Sequence, residues 1–272
     1  MTKASPAEQV ASSFAKKADR ADLLAPGSAA AEAPLRFASV LLRAQGRCAA
    51  AIAKLHEGAP LSGQLDADAP RLLPEWKKLL SEIAEHGPEL LAGEATARLE
   101  GPPEDLIAAL ANFWRRDAFD YGARALLRPY VEALGFLGIV PDRAQSGPPT
   151  NALPCSFCGG APVMALRRAG LEGDGTPRFL VCGLCAREQP ITRIHCVGCG
   201  ELDPHKLPAF KSDQHANASI ECCDTCRRYT KSIDLSLDAR PIPEVDDLLT
   251  LSLDLWAAEN KWTRVEPGLA GL

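Results

Sequence analysis

Apolar residues in the first half of the chain recur at helical spacing. In "PLRFASVLLRAQGRCAAAIAKLH", Leu41, Gln45, Cys48, Ile52 and Leu55 fall at intervals of 4, 3, 4 and 3, and Pro34 suits a first helical turn. Leu72, Trp76, Leu79 and Ile83 make a second stripe, ended by Gly87. "PPEDLIAALANFWRRD" places Glu104 and Asp105 near its start and Arg115 and Arg116 near its end, as the helix dipole favours. Ala123, Leu127, Tyr130, Leu134 and Leu137 form a further stripe. Together they predict a helical core. Cys48 reads as filler on an apolar face. Gln45, polar within such a stripe, predicts either an edge position or a buried hydrogen bond.

The pattern then changes. "PDRAQSGPPTNALP" (141–154) is polar, Pro-rich and without periodicity, and reads as a linker. Further on, Ile233, Leu235 and Leu237 alternate as in a short strand. Pro243 opens a terminal helix with Glu244, Asp246 and Asp247 in its first turn. Its Leu248, Leu251 and Leu255 are expected to share one face and pack back on the body, since a lone helix of this length is marginal.

Composition narrows the class. The chain of 272 residues is 46% hydrophobic and 24% charged, which suits a folded protein. The first residues carry Lys and Asp throughout, unlike a secretory signal, and no stretch approaches the roughly 20 apolar residues of a membrane helix. A cytoplasmic protein without membrane insertion is expected. The net charge of −5 is uneven: residues 155–232 hold 10 basic and 8 acidic side chains, whereas 233–272 hold 3 and 8. No segment has the basic excess that would anchor a phosphate backbone, so nucleic acid is not an expected partner.

Cysteine usage carries the chemistry. Nine of the ten cysteines lie between 155 and 226, and a reducing cytoplasm argues for metal over disulfides. Four Cys-x-x-Cys pairs occur: Cys155/Cys158, Cys182/Cys185, Cys196/Cys199 and Cys223/Cys226. In each half 23 residues separate the inner cysteines, and adding 41 carries every cysteine of the first set onto the second. Phe179 likewise maps onto Ile220. This is a duplicated module.

The spacing has a physical basis. Two residues between cysteines let a tight knuckle aim both sulfurs at one ion, and Gly159 and Gly200 can supply the positive φ such a turn needs. Sequential pairing gives one site of Cys155, Cys158, Cys182 and Cys185 and another of Cys196, Cys199, Cys223 and Cys226; the repeat favours this over a cross-braced arrangement. Thiolate tetrahedra suit zinc or iron. Cys222 has no counterpart in the first module, where Val181 stands, and reads as a bystander; His195 is unneeded beside a full cysteine set. No phosphate-binding Gly-rich loop and no His-Glu-x-x-His motif occurs. A four-thiolate site leaves its metal no open position, so no catalytic residue is assigned and an enzyme is not expected.

With these motifs in place the chain resembles the formate dehydrogenase accessory proteins of the FdhE family. "RFLVCGLC" (178–185), "TRIHCVGC" (192–199), "CDTCRRYTKSI" (223–233) and "DDLLTLSLDLWAAE" (246–259) are similar to that family's segments in order and spacing, and "LRFASVLLRAQ" (35–45) is similar to its helical half. Ser156, where the family often has Pro, and the tail "EPGLAGL" depart from it. The resemblance implies an α+β protein in two parts, an all-helical N-terminal domain followed by two tandem rubredoxin-like or zinc-ribbon-like metal modules and a C-terminal helix. The boundaries are drawn at 1–145 for the helices, 146–154 for the linker, 155–194 and 195–240 for the modules, and 241–272 for the terminal helix and tail. It further implies two iron ions, with zinc as the alternative, and a role in activating formate dehydrogenase through its catalytic subunit. Arg193, Tyr229, Lys231, Asp246 and Asp247 match family positions that are not metal ligands, which makes them candidate partner contacts, with Arg193 and Lys231 expected to be partly exposed. The rival readings are a zinc-ribbon adaptor in transcription or translation and a rubredoxin-like electron carrier.

Overall fold

The computed structural model describes residues 4–116, 119–145, 153–170 and 176–271, without the side chains of 144 and 145. The chain forms two compact units, Met1–Ser146 and Gly147–Leu272. Most of the expected linker, 146–152, lies outside the described residues.

The first unit is helical: α1 (Pro6–Leu24), α2 (Glu32–Gly58), α3 (Leu65–His86), α4 (Glu89–Glu100), α5 (Pro103–Arg115) and α6 (Tyr121–Leu137). The stripes fall inside α2, α3, α5 and α6. Leu72, Trp76, Leu79 and Ile83 are all buried, and Gly87 is the C-cap of α3. Helix α6 is more than striped. Asp120 caps its N-terminus, Gly138 ends it at φ 76°, and every residue from Gly122 to Leu134 is buried.

Burial of α6 on all sides explains the polar residues around it. Pro129 lies inside the helix and has no N–H, which deprives the Ala125 carbonyl one turn earlier of its intrahelical donor. Gln45 Nε2 supplies the missing hydrogen bond at 2.8 Å, so the odd residue in the α2 stripe repairs a proline in α6. Glu132 accepts from Lys17 at 3.2 Å and from Arg128 at 2.8 Å, and Tyr130 Oη donates to Asp68 at 2.6 Å. Cys48 is 4% exposed and burial pushes its thiol up to about 12, as filler requires.

The second unit is built on one sheet: β1 (Pro162–Arg167), β2 (Arg178–Cys182), β3 (Glu188–Ile191), β4 (Ala209–Lys211), β5 (Ala218–Cys223), β6 (Arg228–Asp234) and β7 (Thr263–Arg264). The order is β3-β2-β1-β6-β5-β4, with β7 alongside β6. The duplication is written into the ladders. In β2/β3, Phe179 faces Pro190 and Leu180 faces Gln189; in β5/β6, Ile220 faces Lys231 and Glu221 faces Thr230, each pair displaced by the same 41 residues. Parallel pairing of β1 with β6 joins the two copies.

Two boundaries differ from expectation. The strand over Ile233 to Leu237 begins earlier, at Arg228, and ends at Asp234, whose carboxylate accepts from the Ser236 N–H in a turn and leaves Leu237 66% exposed. The terminal helix is broken into α7 (Pro243–Asp246), a 3-10 turn over Asp247–Thr250 and α8 (Leu251–Glu259). The tighter 3-10 turn shifts the phase. Leu248, Leu253 and Ala257 therefore face inward, while Leu255, expected on the packed face, is 60% exposed.

Candidate metal centres

Each Cys-x-x-Cys knuckle is a short turn with the same hydrogen bonds. The Cys155 N–H donates to the Gly160 carbonyl at 2.8 Å and the Gly159 N–H to the Cys155 carbonyl at 2.7 Å; Cys196 with Glu201 and Gly200 with Cys196 repeat this at 2.8 and 2.9 Å. The residue after each second cysteine has positive φ: Gly159 at 66°, Ala186 at 56°, Gly200 at 81° and Arg227 at 57°. The two glycines were legible in the sequence. Ala186 and Arg227 were not, because neither residue type signals a left-handed turn.

The knuckles converge as the repeat predicts. Cys155, Cys158, Cys182 and Cys185 form one cluster and Cys196, Cys199, Cys223 and Cys226 another, with the sulfurs of each within 4.8 Å of one another. Sulfurs approach diagonally: Cys155 to Cys185 at 3.6 Å, Cys158 to Cys182 at 3.5 Å, and Cys196 to Cys226 and Cys199 to Cys223 at 3.7 Å. A regular tetrahedron with metal–sulfur bonds of about 2.3 Å has edges of about 3.8 Å. The donor sets fit a tetrahedral thiophilic ion. The Leu184 and Gly198 N–H groups point to the Cys182 and Cys196 sulfurs at 3.4 Å, as suits thiolates.

Thiols packed this closely share protons unevenly. Hydrogen bonding to neighbouring thiols, Cys155 foremost, pushes Cys182 and Cys185 well up, while Cys155 is pushed far down by Cys158, Cys182 and Cys185. A central cation would hold all four as anions. The clusters differ in exposure: all four cysteines of the first are buried, whereas Cys199 and Cys226 of the second are half-buried. Cys222 belongs to neither. It packs with Ala218, Ile220, Tyr229 and Trp262 in an apolar core. His195 also stands apart from the clusters, and burial followed by the Arg178 charge lowers its pKa.

Four of the five candidate partner contacts are interior. Lys231 is 1% exposed, which corrects the expectation of a partly exposed side chain. Its Nζ lies 2.7 Å from Asp247 Oδ1 and 2.5 Å from Asp254 Oδ2, and it donates to the Asp247 carbonyl and Thr250 Oγ1, each at 3.0 Å. Arg264 meets the same carboxylates at 2.9 and 3.2 Å, and Tyr229 Oη donates to Asp254 at 2.8 Å. Two cations and two anions thus balance in a buried network that pins α8 and its 3-10 turn to β6. Buried Asp246 accepts from the Ile242 N–H at 2.8 Å. Burial of a charge demands a partner, and these residues are one another's partners. Only Arg193 of the five is exposed. The sequence reading missed Asp254 and Arg264; nothing in their spacing indicated that the strand at 228–234 brings them to Lys231. It also missed Glu221 on β5, which binds Arg178 of β2 at 2.6 Å and Arg167 of β1 at 3.1 Å and so ties the two copies together.

Comparison with known proteins places this architecture. Residues 194–269 match the family model described as FdhE, C-terminal domain. The chain is 26% identical to the Protein FdhE homolog of Aquifex aeolicus over 80% of its own length and 76% of the relative's. It is 29% identical to the Protein FdhE homolog of Pseudomonas putida over 71% and 64%, and 39% identical to that of Shewanella oneidensis over 37% and 32%. The crystal structure of the FdhE protein from Pseudomonas aeruginosa shares the fold, with a TM-score of 0.66, 22% identity and 94% of each chain covered. No helix among the described residues is long and apolar enough to cross a membrane.

Proposed function

We propose that this chain, a member of the FdhE family, is an accessory protein that formate dehydrogenase needs to reach its active state, and that it binds the enzyme's catalytic subunit. The relationship along most of the chain carries this reading. Cys155, Cys158, Cys182 and Cys185 hold one ion and Cys196, Cys199, Cys223 and Cys226 the other, iron being the metal implied by the family resemblance. Saturated four-thiolate coordination supports a structural or one-electron role over Lewis-acid hydrolysis, because it leaves no position for substrate. The protein's own residues act by rigidity: the Lys231–Asp247–Asp254–Arg264 network and the Glu221 ties fix the metal-bearing sheet as a docking surface.

Co-expression of the chain with a formate dehydrogenase catalytic subunit, purified without oxygen, tests the reading. The two should co-purify, and deleting the gene should lower formate dehydrogenase activity without lowering the amount of the enzyme's polypeptide. Failure of both, with tight DNA binding at physiological salt, would instead support the zinc-ribbon adaptor.

A further inference from the structure

Beside the second metal cluster, the sheet carries a cleft of about 120 Å³ lined by Arg167, Arg178, Arg193, Arg228, Glu221 and Thr230, among others. Its charge is lopsided. The single carboxylate of Glu221 is already shared between Arg167 and Arg178. The guanidiniums of Arg193 and Arg228 have no acidic partner among the described residues, and both side chains are exposed. Four guanidiniums thus face one carboxylate, with Cys196 of the second cluster also on the cleft wall.

A second observation points the same way. Thr230 is 3% exposed and Arg178 is 4% exposed, yet Thr230 Oγ1 and Arg178 Nε are both buried without a hydrogen-bond partner. A buried hydroxyl or guanidinium N–H is ordinarily satisfied, and one left unpaired costs free energy. Both residues line this cleft, and Thr230 lies directly across the ladder from Glu221. Unused donors and surplus guanidinium charge therefore coincide at one place on the sheet.

We propose that this cleft binds a phosphoryl group. The observations select the class of ligand. Arginine guanidiniums present planar pairs of N–H groups that match the edge of an oxyanion. Two unpaired guanidiniums, a hydroxyl and an additional N–H offer more donors than the two oxygens of a carboxylate can accept, whereas a phosphate monoester has three free oxygens. The volume selects the size: it falls below the roughly 300 Å³ at which sites for whole organic ligands begin, so the group that enters is inorganic phosphate or the terminal phosphate of a larger molecule. The inference is independent of the proposed client, since the cleft lies wholly within the second unit and needs no partner chain.

Titration of the purified, metal-loaded full chain with inorganic phosphate and with adenosine monophosphate, followed by calorimetry and phosphorus NMR, tests it. Saturable one-to-one binding is expected. Tighter binding of inorganic phosphate identifies the free ion as the natural ligand, and tighter binding of the monophosphate a phosphate carried on a larger molecule. Arg193→Ala and Arg228→Ala should each weaken binding about tenfold or more, the effect of a lost charge-assisted hydrogen bond. Thr230→Val, close to isosteric, should weaken it less while leaving metal content and circular dichroism unchanged. Lack of saturable binding by the wild-type chain would overturn the proposal. So would Arg193→Ala and Arg228→Ala variants that bind phosphate as the wild type does but release metal faster, since the arginines would then serve only to offset thiolate charge. Preference for a glutamate peptide over both phosphates would overturn it in favour of carboxylate docking.

Discussion

Replacing Lys231 by methionine should destabilise the second unit far more than an ordinary surface substitution. The change preserves most of the side chain's volume and removes one of two cations from the network. Asp247 and Asp254, 2% and 4% exposed, would then have Arg264 as the one cation between them, with Tyr229 Oη still donating to Asp254. Removing one partner of a buried ion pair costs about 3–5 kcal/mol, because the remaining charge stays buried without compensation. The Asp247 carbonyl and Thr250 Oγ1 lose the Lys231 donor as well, although the Thr250 hydroxyl still donates to that carbonyl at 2.9 Å, so the middle of that range is expected. Adding Asp254→Asn restores charge balance, leaving Asp247 with Arg264. The double variant should therefore lose less than the sum of the single losses, by about 1–3 kcal/mol of coupling.

The pH dependence follows from Asp247. Burial pushes its carboxyl up, but the charges of Lys231 and Arg264 outweigh this and hold it below its ordinary value. A folded pKa below the unfolded value of about 3.9 means that the contribution is fully present above that pH and is lost as pH falls toward the folded pKa. In Lys231→Met the carboxyl rises toward or past the unfolded value, so the variant loses less stability than the wild type as pH falls. The gap between variant and wild type should be widest near neutrality and close below about pH 4. Urea unfolding followed by the fluorescence of Trp256 and Trp262, with metal held constant, measures both effects. A loss under about 1 kcal/mol at neutral pH, with an unchanged dependence on urea, would refute the claim that the network is a buried, balanced set of charges.

Other expectations are simpler. Cys158→Ser and Cys199→Ser should each remove one of two metal ions by elemental analysis and make residues beyond 155 sensitive to protease, with the helical unit unaffected. Gln45→Leu should cost about 1–3 kcal/mol in thermal unfolding of the helical unit by stranding the Ala125 carbonyl, and Pro129→Ala in the same chain should recover part of that loss. Gly160→Ala should release metal from the first cluster, since a Cβ there would lie 2.7 Å from Cys182 Sγ, whereas Glu201→Gly at the equivalent position should keep both ions; a chelator challenge compares them.

The two cysteine clusters were the most legible part of the molecule, because a ligand set requires particular residue types at fixed spacing and the duplication displays that spacing twice. Helix stripes were legible where one face is buried, as in α3, and understated where a helix is enclosed, as in α6. The roles of Tyr229, Lys231 and Asp247 were not legible. Their significance depends on Asp254 and Arg264, which the fold alone brings near, and a matched family position does not distinguish an internal ion pair from a docking contact. The phase of α8 escaped for a local reason: the 3-10 turn over Asp247–Thr250 leaves no mark in a pattern of leucines.

The two copies of the module have diverged according to their places in the sheet. β3 is an edge strand, exposed at Pro190, which has no N–H to offer a neighbour. Its counterpart β6 is central, flanked by β1, β5 and β7, and there the equivalent residue is Lys231 at the heart of the ion network. The knuckles follow suit. In the first copy Gly160 packs so close to Leu184 that a Cβ would come within 3.1 Å of it, and all four cysteines are buried. In the second copy the same two positions hold Glu201 and Thr225, joined by a hydrogen bond of 2.6 Å. A polar clasp tolerates water where an apolar seal excludes it, so Cys199 and Cys226 remain half-exposed while the first cluster is enclosed. One duplicated sequence thus yields an enclosed cluster and a more open one beside the arginine-lined cleft. An ion held by the second cluster would therefore be the one able to respond to whatever binds there.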